Sequence, residues 1–399
     1  MSASNSLPDG GKLIKSVSRW GYLHSSHLRS YIRPSDQVLS PTMTINAITA
    51  SQRLDSRGKP TVQVALQTEH GIFRSIVPSG ASKGDYEAVE LRDGDSNAFH
   101  GQGVTKAVYN VEHIIAPAIV RAGLDPAQDL HNIDELMMSL DGTPNKSKLG
   151  ANAILAVSMA AARAGAAAAG KPLYEFIAAQ RRASGDALVL PVPFMNVLNG
   201  GEHSGNPLAF QEFMIAPIQA SSFAEAVQWN AEVYWSLRGL IIQKYGTEAI
   251  GLGDEGGFAP PLSHPRQALD LLVQAINKAG HNGKIKIGID PASQSFYRDG
   301  EYDLGFKTKR SDTLSAGQLA DLYRELLKEY PIVLLEDPFG QDDWDAFAEF
   351  HAHSDVELVG DDLLATNKKR IEMGIQKKAC NSLLLKINQI GTITEAIQA

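Results

Sequence analysis

The sequence predicts an α/β protein, in which a (β/α) barrel follows a smaller α+β domain. Three observations carry this prediction. Beyond residue 188, short apolar runs end on acidic residues, and each precedes an amphipathic helical pattern. Residues 44–74 instead alternate in β-branched runs, TVQVALQT and GIFRSIV, separated by the turn residues of DSRGKP and EHG. The length of 399 residues is about two to three times a usual domain, so two packed units are expected.

The elements follow in order. Residues 1–43 are expected to be a disordered leader: they are rich in Ser and hold no apolar run long enough for a secretory signal. A mitochondrial transit peptide is the weaker alternative, because Pro8 and Asp9 stand where its amphipathic helix should begin. Residues 44–180 are expected to form the α+β unit, with a three-stranded antiparallel meander and then helices. Those helices are read over GVTKAVYNVEHIIAPAIVRAG, DLHNIDELMMSL and the Ala-rich stretch ending at PLYEFIAAQ. The stretch from Ala151 to Gly170 nears membrane-spanning length, yet Asn152, Ser158 and Arg163 interrupt it and alanine dominates, so a close-packed core helix is expected. RRASGDA reads as the linker.

Residues 188–399 carry the barrel pattern. KIKIGID ends at Asp290, PIVLLED carries Glu336 and Asp337, VELVGDD ends at Asp361 and Asp362, and NSLLLKINQIG carries Lys386. Leu319, Leu322, Tyr323, Leu326 and Leu327 keep helical spacing between two of these runs, as do Leu269, Leu272, Val273 and Ile276 before Gly280. Near-continuous apolar strands indicate a parallel sheet covered by helices, and polar groups at successive strand ends favour a barrel over an open doubly wound sheet.

Composition narrows function. Hydrophobic residues at 43% and charged residues at 21% exclude wholesale disorder and a membrane bundle. The net charge is −8; residues 1–42 hold five Lys/Arg against two Asp, so the remainder is more acidic still, a poor match for nucleic acid. Cys380 is the single cysteine, which removes intrachain disulfides, CxxC pairs and Cys-rich zinc sites. A reducing, cytoplasmic setting is expected.

Two familiar motifs are decoys. Gly251-Leu-Gly253-Asp-Glu-Gly256 fits GxGxxG, but Asp254 and Glu255 would place negative charge where a pyrophosphate must sit. Gly80-Ala-Ser82-Lys-Gly84 fits GxSxG, but Pro78 precedes it and no helical pattern follows. A Gly/Ser loop offering a hydroxyl and amides, as plain surface or as a lid, is the more physical reading.

The acids are the stronger signal. Asp290, Glu336 and Asp361 follow consecutive strand-like runs, so a barrel would gather them in one mouth, with Glu212 and Glu255 nearby. Oxygen donors without His or Cys specify a hard cation, Mg²⁺ before Zn²⁺. Any one of these acids could instead cap the helix after its strand. Lys386, in an apolar run, is either a salt-bridge partner of a neighbouring acid or an amine whose pKa a nearby metal lowers, ready to take a proton from carbon.

DSRGKPTVQV, VPSGASKG, NKSKLGANAILAVSMA, NVLNGGEH, QEFMIAP, GDEGGFAP, GKIKIGID, EDPF, GDDLLATN and LLLKINQIGT, in this order over residues 44–399, resemble the enolase family (phosphopyruvate hydratase). The resemblance implies reversible dehydration of 2-phosphoglycerate to phosphoenolpyruvate, a glycolytic lyase reaction, on an enolase-like TIM barrel with two Mg²⁺ per site. It implies that Asp290, Glu336 and Asp361 hold one Mg²⁺ and that Ser82 helps hold the other. Lys386 would be the base at C2 and Glu255 the acid at the C3 hydroxyl, with His203, Gln211 and Glu212, together with Glu336 and Asp361, lining the substrate site. A Lys base with Mg²⁺ is the enolase-superfamily pattern. The family also implies a homodimer, while the residues themselves give no expected membrane span.

Departures accompany the match. Lys83 replaces the usual threonine of the Gly/Ser loop, the stretch around Glu202, Ser204 and Pro207 is atypical, and the segment from Lys307 to Ala316 is short. In the family two more βα units, with a Ser-His-Arg-Ser motif and a second lysine, follow the Lys386 strand. A chain without them is expected to be weakly stable with little hydratase activity, and a catalytically silent, enolase-like interaction protein is then the alternative reading.

Overall fold

The computed structural model describes residues 43–181 and 188–399. Apart from Met43 and Arg181, the expected leader and linker lie outside these residues. Two compact units emerge: one holds residues 43–181, 365–371 and 385–399, the other residues 188–364 and 372–384.

In the first unit, strands β1 (Ile45–Leu54), β2 (Pro60–Thr68) and β3 (Gly71–Ile76) form an antiparallel meander in sequential order. Alternation puts Val62, Val64 and Leu66 of the central strand wholly inside. The stretch read as one helix over 103–123 is continuous but not uniform: α1 (Thr105–Asn110) passes through a π turn (Val111–Ile115) into α2 (Ala116–Ala122). Pro117 explains the widening, since it has no N–H to give and its ring would crowd the carbonyl one turn back. Helices α3 (Leu130–Asp141), α4 (Ala151–Ala168) and α5 (Leu173–Gln180) follow. Helix α4 is apolar and long enough to cross a membrane, yet 78% of it is buried within the protein, packed on β2, β3 and α3. Its small residues permit that closeness: a Cβ at Gly165 would fall 2.3 Å from the Pro126 carbonyl oxygen. Late in the chain, α11 (Ile387–Ile390) and α12 (Ile393–Gln398) return to pack on α4.

The second unit contains a six-stranded sheet ordered β12-β11-β10-β6-β5-β4. The strands are β4 (Met195–Asn199), β5 (Glu212–Ala216), β6 (Lys286–Asp290), β10 (Ile332–Glu336), β11 (Glu357–Gly360) and β12 (Ser382–Leu383). From β6 to β12 the strands are parallel, whereas β5 runs antiparallel to both β4 and β6. The purely parallel expectation therefore fails at the first strands, because the connection from β4 to β5 is a loop too short to hold a crossover helix. Helices α6 (Phe223–Tyr245) and α7 (Pro265–Lys278) lie between β5 and β6, α8 (Ala316–Glu329) precedes β10, α9 (Trp344–Ala352) precedes β11, and α10 (Lys368–Lys377), whose first residues are counted with the first unit, precedes β12; a small sheet of β7 (Tyr297–Arg298), β8 (Glu301–Asp303) and β9 (Thr313–Leu314) precedes α8. Ser315 caps α8 by accepting from the N–H of Gln318, whose side chain accepts from the Ser315 N–H, so that helix starts where its sequence says it should.

The strand expected through LLLKINQI stops early. Only Ser382 and Leu383 join the sheet, and Lys386 is the exposed residue just before α11. Its N–H is taken by the Thr366 hydroxyl and its carbonyl by the Gln389 N–H, which removes both groups from a β ladder.

Candidate active site

Acids collect at the carboxyl ends of the parallel strands. Asp290 closes β6, Glu336 closes β10, and Asp361 follows β11 by one residue. Glu212 begins β5 directly opposite Asp290, as the antiparallel register requires. The Asp290 side chain is 4% exposed; its Oδ1 accepts the Ala292 N–H at 2.7 Å, and the Gln211 amide stands 3.5 Å from Oδ2. Burial raises its pKa well above the usual carboxylate value, and the charges of Glu336, Glu212, Asp337 and Asp361 push the same way. Four of the expected acids thus act on one another in this unit.

Sequence reasoning noted Asp337 and Asp362 but gave them no role. Among the described residues, Asp337, Asp361 and Asp362 each bring one oxygen within 4.8 Å of the others. Asp337 produces this closeness: its two oxygens accept the N–H groups of Asp361 at 2.9 Å and Asp362 at 2.6 Å. It adopts φ of 36°, a left-handed conformation that a non-glycine residue keeps only where its surroundings insist. Burial, then the charges of Asp362 and Asp361, hold its carboxyl high despite those two bonds. The adjacent acid pairs 336/337 and 361/362, at equivalent places in successive units, are the signal that could have found it.

Such a set fits a hard divalent cation: all donors are oxygen, and a buried carboxyl faces several like charges that a bound cation would offset. Of the triad read from the sequence, Asp290, Glu336 and Asp361, only Asp361 belongs to the group whose oxygens converge; its other members are Asp337 and Asp362.

Glu255 sits at the tip of a tight turn between Gly253 and Gly257. The supposed dinucleotide motif is this turn, with no helix after it to receive a phosphate. Gly256 has φ of +83°, which the turn needs and a side chain would resist. His203 Nδ1 lies 3.0 Å from Glu255 Oε1, near enough for an ion pair but off the line of a hydrogen bond. Burial raises the Glu255 pKa, but contacts with His203, Glu212 and Asn199 outweigh it and leave the pKa lowered. A carboxyl pair in contact, Glu255 with Glu212, favours sharing one proton, and the lowered value of Glu255 places it on the charged side.

Around His203, Lys307 donates from its ammonium to the carbonyl oxygens of Gly201 and Ser204, one on each side of the histidine in sequence. Burial lowers the Lys307 pKa, with Glu202 opposing. No spacing rule reveals this contact across 106 residues.

Ser82 and Lys386 belong to the other unit. Ser82 is exposed in a loop, and the Ser79 and Gly80 carbonyls at its base accept from the Arg57 guanidinium at 2.8 and 3.1 Å. A cavity of about 200 Å³ lies beside this loop, lined by Lys59, Ser82, Lys83, Arg92 and Asn388 among others. No helix follows Ser82, so the loop is not a nucleophile elbow.

Comparison with known families agrees over nearly all described residues. Residues 45–177 match the family described as Enolase, N-terminal domain, and residues 187–399 match Enolase, C-terminal TIM barrel domain.

Proposed function

The chain belongs to the enolase family, and from that premise we propose that it catalyses the reversible dehydration of 2-phosphoglycerate to phosphoenolpyruvate. The carrying observation is Asp290, buried among the charges of Glu336, Glu212, Asp337 and Asp361 at the strand ends. On this reading Asp290, Glu336 and Asp361 hold Mg²⁺ and Ser82 contributes to a second ion. Magnesium, when bound, supplies positive charge that offsets the charge developing on the substrate carboxylate as the C2 proton leaves.

The chain's own groups do the rest. Lys386 takes the C2 proton as base. Glu255, charged at rest, takes up the proton held by Glu212, with which it is in contact, and passes it to the departing C3 hydroxyl. His203, whose ring nitrogens make no hydrogen bond among the described residues, has donor capacity for a phosphorylated acid, and Gln211 reaches toward the same acids.

The test is turnover of 2-phosphoglycerate by the purified chain, followed through the ultraviolet absorbance of phosphoenolpyruvate, with and without Mg²⁺. Expected are activity that chelation abolishes and a loss of about 10²-fold or more in Lys386→Ala and Glu255→Gln. Mg²⁺ and substrate binding by calorimetry without turnover would identify the catalytically silent form and refute the enzymatic reading.

A further inference from the structure

Asn199, the last residue of β4, is 0% exposed, and each of its polar atoms is engaged. Its N–H donates to the Phe258 carbonyl and its carbonyl accepts from the Asn206 amide, both at 2.9 Å. In the side chain, Oδ1 accepts the Gly257 N–H at 3.0 Å, while Nδ2 donates to the Gln211 carbonyl at 3.2 Å and to Glu255 Oε2 at 3.0 Å. A flipped amide would set Oδ1 against two oxygens and Nδ2 against an N–H, so the network allows one orientation.

The turn is shaped to receive this side chain. A Cβ at Gly253 would fall 2.6 Å from the Asn199 Cβ, and one at Gly257 would fall 2.7 Å from its Oδ1. The turn closes on itself through Gly253 N–H to Gly257 O at 2.8 Å, leaving Glu255 at its tip. One amide therefore joins the end of β4, the residue before β5 and the turn carrying Glu255.

We propose that Asn199 is the positioning residue of Glu255: it fixes the turn through Gly257, holds Oε2, and so leaves Oε1 directed to His203 and the reacting group. The proposal rests on the reading of Glu255 as the acid of an enolase site. A buried amide with a merely structural task would need the Gly257 and Gln211 bonds but not the donor to Glu255.

The test is Asn199→Asp, which keeps the shape, loses the donor and sets a carboxylate against Glu255. Hydrogen exchange of the full chain, read by mass spectrometry over residues 251–259, is expected to quicken about tenfold or more, with α7 unchanged. Glu255→Gln placed in that variant supplies a donor from the other side and is expected to restore most of the protection. For 2-phosphoglycerate, kcat of Asn199→Asp is expected to fall about tenfold or more while KM changes less than about threefold. Should Asn199→Asp not fold, Gly257→Ala displaces the same contact from the turn and is read identically. Unchanged exchange in the variant that folds, absent recovery in the double variant, or a KM change as large as the kcat change overturns the proposal. Exchange needs no substrate, so a wild-type chain without turnover would defeat the functional reading and still leave the exchange comparison to decide the role of Asn199.

Discussion

Asp134 on α3 offers the most quantitative perturbation. Its side chain is wholly buried; Oδ2 accepts the Thr394 N–H at 3.0 Å, and Oδ1 has no hydrogen-bond partner among the described residues. Ser158 of α4 joins the cluster by accepting the Ile393 N–H at 2.9 Å, so the start of α12 hangs on two side chains from α3 and α4. Burial raises the Asp134 pKa to about 6, with Glu395 adding to it and the bonds from Thr394 and Ser158 opposing. Lys146 meets Glu395 at 2.9 Å and tempers that charge. Because the folded pKa is raised, the folded state binds the extra proton, and its stabilising contribution is full below the unfolded value of 3.8 and is lost as pH climbs through about 6. The difference corresponds to about 3 kcal/mol, of which about 2 kcal/mol falls between about pH 4 and pH 7. Asp134→Asn keeps an acceptor for Thr394 and removes the titration. Its stability relative to the parent should therefore improve by about 2 kcal/mol across that interval, whatever the constant cost of the new amide. Hydrogen exchange over residues 130–141 and 393–398, corrected for intrinsic pH dependence, measures it. A parent-to-variant difference flat to within about 0.5 kcal/mol would refute the assignment.

Two other perturbations probe the neighbourhood of His203. Lys307→Met removes two charge-assisted bonds to the Gly201 and Ser204 carbonyls and should lower the local opening free energy over residues 201–206 by about 1.5–3 kcal/mol in hydrogen exchange, with Lys307→Arg losing less. Gly200→Ala keeps a negative φ of −130°, but its Cβ would fall 2.2 Å from the Phe210 carbonyl oxygen and 2.8 Å from Leu208 Cγ; a loss of about 1–3 kcal/mol in urea denaturation is expected, and an unchanged midpoint would contradict the packing.

What the sequence disclosed depended on range. The meander, α4 and strands β6, β10 and β11 were legible because period-two and helical spacing are local, and their burial repeats the pattern. The acids were legible because a parallel sheet sends the end of each strand to one edge. Lys386 was misplaced within its segment: an apolar run reads alike as strand or as a buried approach to a helix, and only the Thr366 hydroxyl, 20 residues away, decides it. Asn199 and Lys307 were passed over for a related reason. An amide at a strand end or a lysine in a polar loop is unremarked until the fold brings it to a partner 56 or 106 residues distant.

The site also explains why its acids need so much support from the main chain. Asp290 is buried among like charges, an arrangement that disfavours folding when no counter-ion is present. A packed apolar residue there would serve stability better. The chain keeps the carboxylate and fixes its surroundings instead: Ala292 donates to Asp290, the Asp337 carboxyl accepts two N–H groups, and Asn199 donates to Glu255. These three supports fall on backbone N–H groups or on a neutral amide. Donors already in place have less conformational freedom to lose if an ion binds, which is what such main-chain support provides.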